Sequence, residues 1–204
     1  MWPVSAADST TLPEAHENSS AMTELNHPDI QAAAPIKQPT LRFMLSHPLH
    51  VVALGFGSGL SPFAPGTVGT LFAWASFRTL DLSLPSSAIL LIILLGFVLG
   101  IVAIEKTGTA LGEIDHGSIV WDEIIPFWGV LWILTQVMGD NLLWQGIAFA
   151  LFRLFDITKP WPARYYDRKV KNGYGVMMDD VVAALYSVIG LTMLLVGVYF
   201  GSHT

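Results

Sequence analysis

Two stretches of this chain restrict its fold more than anything else in it. Residues 86–104 (SSAILLIILLGFVLGIVAI) and 181–201 (VVAALYSVIGLTMLLVGVYFG) contain no charged side chain, and each is long enough to cross a hydrocarbon core that needs about 20 apolar residues in a helix. Lipid offers the backbone no hydrogen-bond partners, so such a segment has to satisfy its own amides and carbonyls as a helix. Composition agrees. The chain is 52% hydrophobic and 13% charged, with a mean hydropathy of +0.54, whereas soluble domains carry roughly a quarter charged residues. The class implied is a membrane protein.

Three further apolar runs are shorter: residues 68–80, 124–138 and 142–155. Each either crosses, dips in from one side, or packs as a buried helix. The expected fold is therefore all-α, a polytopic membrane helical bundle of about five apolar helices, some short or re-entrant. Residues 1–40 mix Ala, Ser, Thr, Pro, Asn and acids without apolar periodicity, which predicts a disordered N-terminal tail. No apolar signal-peptide core follows Met1. Residues 41–204 read as one membrane-embedded domain, without an internal repeat. The formal charge of −6 says little about partners, because five of the sixteen acids (Asp8, Glu14, Glu17, Glu24 and Asp29) lie in that tail; no nucleic-acid partner is expected. The chain has no cysteine, which excludes thiolate nucleophiles and Cys-ligated zinc.

If all five runs cross, the loops alternate. Nine of the ten Lys and Arg residues then fall on one side or at its border, Arg78 being the exception, and the positive-inside rule makes that side cytoplasmic. The polar segments 106–123 and 156–180 share this face with the stretch GFGSGLSPFAPGTVGT, residues 55–70. They can build a single site.

Three groups of residues there could carry chemistry. In DHGSIVWDE, residues 115–123, Asp122 and Glu123 open a span, where a carboxylate either caps a helix N-terminus or ligates an ion. In FRLFDITKPWPARYYDRKVKNGYGVMMDD, residues 152–180, Arg153, Asp156 and Lys159 are spaced by three along one side of a helix that Pro160 and Pro162 must end. Arg153 and Lys159 either snorkel to the interface or hold an acid. Asp156, following apolar neighbours, requires a partner. A basic loop follows (Arg164, Asp167, Arg168, Lys169, Lys171), suited to anionic headgroups or to phosphate. Asp179 and Asp180 then either cap the last span or sit with something positive. The glycines and hydroxyls of residues 55–70, with Ser58, Gly59 and Thr67 among them, form either a packing turn or a donor-rich concavity for an anion. Up to five carboxylates, one central histidine (His116) and no thiol favour Mg²⁺ over zinc. Together with Arg and Lys, that set suits charge stabilisation on a phosphoryl group, and a site at the membrane face suggests that the phosphate hangs from a lipid.

Four blocks, GFGSGLSPFAPGTVGT, DHGSIVWDE, FRLFDITKPWPARYYDR and GYGVMMDDVVA, resemble the signature segments of the phosphatidylglycerophosphatase A family of bacterial inner membranes, in order and spacing, from about Ser46 to the end. The resemblance implies a Mg²⁺-dependent lipid phosphatase that removes the terminal phosphate of phosphatidylglycerophosphate in phospholipid biosynthesis. It implies that Asp122, Glu123, Asp156, Asp179 and Asp180 hold metal or activate water, and that Lys159, Arg164 and Arg168 hold phosphate. Amides near Gly57–Gly59 and Gly66–Thr67 would be auxiliary donors, and His116 either protonates the leaving oxygen or is structural. A Pro-Ser-Gly-His block and a D-x-D-x-T start are both absent, which leaves direct attack by water as the expected chemistry. The rival readings are a small membrane transporter, for which intramembrane acids also speak, and a lipid-phosphate transferase using a second alcohol.

Overall fold

The computed structural model describes residues 38–201, which fall in one compact unit. The expected tail lies outside the described residues except for its last three positions, as do residues 202–204. Every regular element among the described residues is a helix. In chain order these are α1 (Leu41–Leu45), α2 (Pro48–Ala53), a 3₁₀ turn (Gly55–Leu60), α3 (Pro65–Ser83), α4 (Ser86–Leu111), α5 (Trp121–Met138), α6 (Leu142–Thr158), α7 (Ala163–Lys169) and α8 (Gly173–Gly201).

The five apolar runs correspond to α3, α4, α5, α6 and α8. Two of them, α4 and α8, are long and apolar enough to cross a membrane. Their most apolar stretches are only 28% and 22% buried within the protein, so these surfaces need a nonaqueous neighbour. On α4 the outward ridge is Leu91, Leu94, Leu95, Val98 and Val102, repeating every three to four residues as one helical face should. The inward face of the same helix is small. A Cβ on Gly96 would lie 2.5 Å from Ile125 Cδ1, and one on Gly100 would lie 2.7 Å from both Trp121 and Met177, so glycine lets α4 close onto α5 and α8 as small residues do between membrane helices.

Helix α5 is the axis of the bundle. It packs against α3, α4, α6 and α8, and nearly every residue of its first three turns is buried, as expected of a helix apolar on all sides. Because successive helices run antiparallel, the start of α3, the end of α4, the start of α5, the end of α6 and the start of α8 meet at one end of the bundle. At the opposite end Arg78, the basic outlier, is held by both oxygens of Asp140 (3.0 and 2.9 Å). Asp140 also accepts from Gln145, whose own oxygen accepts from Trp74.

Candidate active site

The polar end gathers every acid that the sequence singles out. Asp122 and Glu123 occupy the first turn of α5, whose cap residue, Val120, makes no side-chain cap bond. Neither acid caps the helix. Their side chains point inward instead, and only 7% and 9% of these residues is exposed. Asp179 and Asp180 do not cap α8 either. That helix begins at Gly173, so they sit in its second turn, 4% and 3% exposed. The early start has a physical cause: the Gly173 amide donates to Glu105 Oε2 at 2.6 Å, and α8 packs closely on α4 from its first turn.

Two partly buried cations thread this acidic group. Arg153 Nη1 contacts Asp156 at 2.6 Å, one turn along α6, and Glu123 of α5 at 2.9 Å. It also donates to Thr70 of α3 at 3.4 Å. Lys159 leaves the row that its spacing predicts. It is the C-cap of α6 in the left-handed conformation (φ 42°), because Pro160 prevents the helix from continuing. Its ammonium turns to Asp179 (2.6 Å) and Asp167 (2.7 Å), with Asp115 at 3.9 Å. Burial works to lower the Lys159 pKa, but the charge of Asp179 and the hydrogen bonds to Asp167 and Asp179 outweigh it and hold the pKa above its ordinary value. Burial likewise pushes Asp167 up, and the Lys159 hydrogen bond and charge overcome this to leave it below the usual carboxylate range. For Asp115 burial prevails, against Lys159, and its pKa is raised.

What remains is unbalanced. Asp122 Oδ1 and Glu123 Oε2 are buried without a hydrogen-bond donor. Asp180 has neither a hydrogen bond nor an ion pair among the described residues, and it lies in the field of Asp156, Asp179, Asp122 and Glu123. Buried carboxylate oxygens without donors are costly, and an all-oxygen set of this kind matches the preference of a hard divalent cation. Among the described residues no three acidic or histidine side chains stand close enough to share one ion as placed; Arg153 and Lys159 lie between them.

The stretch 55–70 divides into two parts with different roles. In the first, Phe56 and Gly57 have positive φ, folding the loop back so that the Gly57 and Gly59 amides donate to the Leu54 carbonyl (3.0 and 3.1 Å) and Ser58 Oγ donates to Gly55 O. The Gly57 and Gly59 amides, expected as auxiliary donors, are thus already spent. The second part starts α3, where Gly66 and Thr67 present first-turn amides without helical acceptors. Gly66 and Gly69 face Glu123, and a Cβ on Gly66 would overlap its carboxylate. The glycines answer a need for close approach by an acid. Thr70 is a site residue that the sequence does not single out, and Arg153 reaches beyond its own helix to Thr70 and Glu123; these cross-helix contacts have no local signal.

His116 is buried at 6%, and its Nδ1 accepts from the Ser118 amide at 3.1 Å, which leaves the neutral ring's proton on Nε2. Arg164 and Arg168 are exposed on α7, a short helix where a loop was expected. They stand at the rim rather than among the buried acids.

Residues 51–195 match the family model described as Phosphatidylglycerophosphatase A. The chain is 49% identical over 152 residues to the Phosphatidylglycerophosphatase A of Haemophilus influenzae, covering 74% of this chain and 91% of the relative. It is 43% identical over 146 residues to that of Escherichia coli K12, covering 72% and 83%. A Bacteroides thetaiotaomicron protein, provisionally named a phosphatidylinositol-3-phosphatase, is 43% identical over 145 residues, covering 68% and 88%. No solved structure matches the chain. On the family match and the two relatives that share its description, this chain belongs to the phosphatidylglycerophosphatase A family.

Proposed function

We propose that the protein hydrolyses phosphatidylglycerophosphate to phosphatidylglycerol and phosphate, as a Mg²⁺-dependent enzyme of the bacterial inner membrane whose active site faces the cytoplasm. The observation that carries the reading is the meeting, in a member of this family, of Asp122 and Glu123 at one end of the bundle, each with a buried carboxylate oxygen that no protein donor satisfies, in the field that also contains Asp180. The orientation rests on the basic residues gathered at that end. Crossing by all five long helices rests on length: α3, α5 and α6, with 19, 18 and 17 residues, rise about 25–28 Å, close to a core of about 30 Å.

Asp122, Glu123, Asp156, Asp179 and Asp180 are the residues that would supply ligands to Mg²⁺, after side-chain movement, since no three of them share a position for one ion as placed. When bound, the ion supplies positive charge that lowers the pKa of a water and neutralises phosphate oxygens. Arg153 keeps Asp156 and Glu123 oriented. Arg164 and Arg168 at the rim draw in the phosphomonoester dianion, and Lys159 at the floor neutralises it. The first-turn amides of Gly66 and Thr67 are further donors. Water's oxygen bonds to phosphorus as the bond from phosphorus to the glycerol oxygen breaks. A neighbouring carboxylate takes the water proton, and His116 Nε2–H gives one to the departing glycerol oxygen.

A transporter would place its polar groups near the bilayer midplane, whereas here they crowd one end. The test is phosphate release from phosphatidylglycerophosphate in detergent, with Mg²⁺ and after chelation, beside Asp156→Asn. Release that needs Mg²⁺ and is abolished in a folded Asp156→Asn supports the reading. Near-normal turnover in that variant overturns the assignment of Asp156, and phosphate passed only to an added alcohol would make the protein a transferase.

A further inference from the structure

Two apolar cavities lie along the outer seam of α4, α5 and α8, of about 300 and 280 Å³. They share Val130, Ile133 and Val188 and so form one groove. Its upper end is set by Ile125 and Pro126 of α5 and by Val181 of α8. Ile125 lies two residues beyond Glu123, and Val181 directly follows Asp180. Its lower end reaches Val137 and Val196. From Ile125 to Val137 the α5 wall rises about 18 Å, slightly more than half of a hydrocarbon core of about 30 Å. Pro126 and Ala184 of the lining lie about one turn beyond Asp122 and Asp180 on the same helix faces, so the groove starts at the depth of the acids and runs away from them along the bundle.

The lining is almost wholly apolar. Thr192 is its one hydroxyl, and that hydroxyl donates to Val188 O of its own helix at 2.8 Å, leaving nothing for water or an ion. Gly129 adds a second observation. It sits in the third turn of the central helix, where glycine costs about 1 kcal/mol relative to alanine, yet a Cβ there would meet no protein atom within 4 Å. Close packing between helices does not account for it. A glycine on the α5 wall of the groove keeps open a channel that any larger side chain would narrow.

We infer that this groove seats one acyl chain of the substrate while its phosphate lies among the carboxylates, so that the enzyme selects long-chain lipid phosphomonoesters. The inference rests on the phosphatase reading above and adds to it the element of the substrate that is recognised besides phosphate. A chain running down the groove buries its methylenes against α5 and α8 and fixes the depth at which the headgroup meets Asp122 and Asp180.

The experiment compares kcat/KM for dioleoyl and dihexanoyl phosphatidylglycerophosphate in the same detergent. Gly129→Leu and Ala184→Leu fill the groove from opposite walls, and Leu91→Phe, on the outward ridge of α4, serves as a control for altered lipid contact. Either filling variant that elutes folded is expected to lower the ratio of long-chain to short-chain kcat/KM by at least about tenfold, the effect of losing two buried methylenes; Leu91→Phe is expected to leave the ratio at the wild-type value. A ratio unchanged in folded Gly129→Leu and Ala184→Leu overturns the groove and leaves the phosphatase reading intact. A wild-type protein that releases phosphate from neither substrate overturns both.

Discussion

Replacing Arg153 by Gln tests the electrostatics of the site most sharply. The guanidinium is shared by Asp156 at 2.6 Å and Glu123 at 2.9 Å, and the three side chains are only 15%, 12% and 12% exposed. Glutamine keeps some hydrogen bonding and removes the charge, leaving two carboxylates facing each other in a setting that already contains Asp180. Breaking a buried pair costs about 3–5 kcal/mol, and at about 2–4 °C per kcal/mol for a domain of this size the melting temperature should fall by roughly 6–20 °C. The loss should be smaller with Mg²⁺ present, because an ion held by the same acids offsets part of the missing charge. The assay is thermal unfolding in detergent, for wild type and variant, in chelator and in excess Mg²⁺. A variant that melts within about 2 °C of wild type in chelator would refute the claim that Arg153 is the counter-ion on which this cluster depends.

Three other outcomes are expected. Gly66→Ala places a methyl where the Glu123 carboxylate lies; it should reduce kcat far more than it lowers the melting temperature, and equal kcat would contradict the close approach. His116→Gln should slow hydrolysis of the glycerol ester by about 10²–10⁴ but have much less effect on a lipid phosphate with a nitrophenol leaving group, which needs no proton; equal losses on both would remove His116 from the acid role. The Asp167 pKa is lowered and the Lys159 pKa raised, so their pairing is complete above the unfolded carboxylate value near 3.9 and below the unfolded lysine value near 10.4. The destabilisation caused by Asp167→Asn should therefore be constant from about pH 5 to 9 and shrink only as acid protonates Asp167, measured by thermal unfolding across pH; a penalty that fades within that window would contradict the pairing.

The apolar helices were legible because an uninterrupted apolar run needs no periodicity to be recognised, and α4 starts at Ser86 where its run starts. The first turns of α8 were not. Residues 173–180 read as polar loop, and they are helical because they pack against the end of α4, a contact with no local trace. Helices α1, α2 and α7, of five to seven residues, are too short to display a repeat. Acid positions were legible, but capping and ligation could not be separated until burial was known. The spacing of Arg153 and Asp156 predicts their pairing; the second contact of Arg153, to Glu123 thirty residues earlier in the chain, depends on α5 and α6 lying side by side. Lys159 shows the opposite error, because three-residue spacing held only until the helix ended.

Divalent-cation binding measured independently of turnover tests the central claim most directly. Mn²⁺, observed by electron paramagnetic resonance, should bind the purified wild-type protein saturably and be displaced by Mg²⁺. Asp122→Asn and Asp180→Asn should each weaken it at least about tenfold, a loss of roughly 1.4 kcal/mol, while remaining folded. Equal affinity in wild type and both variants, or no binding at all, would contradict a cation site built from these carboxylates.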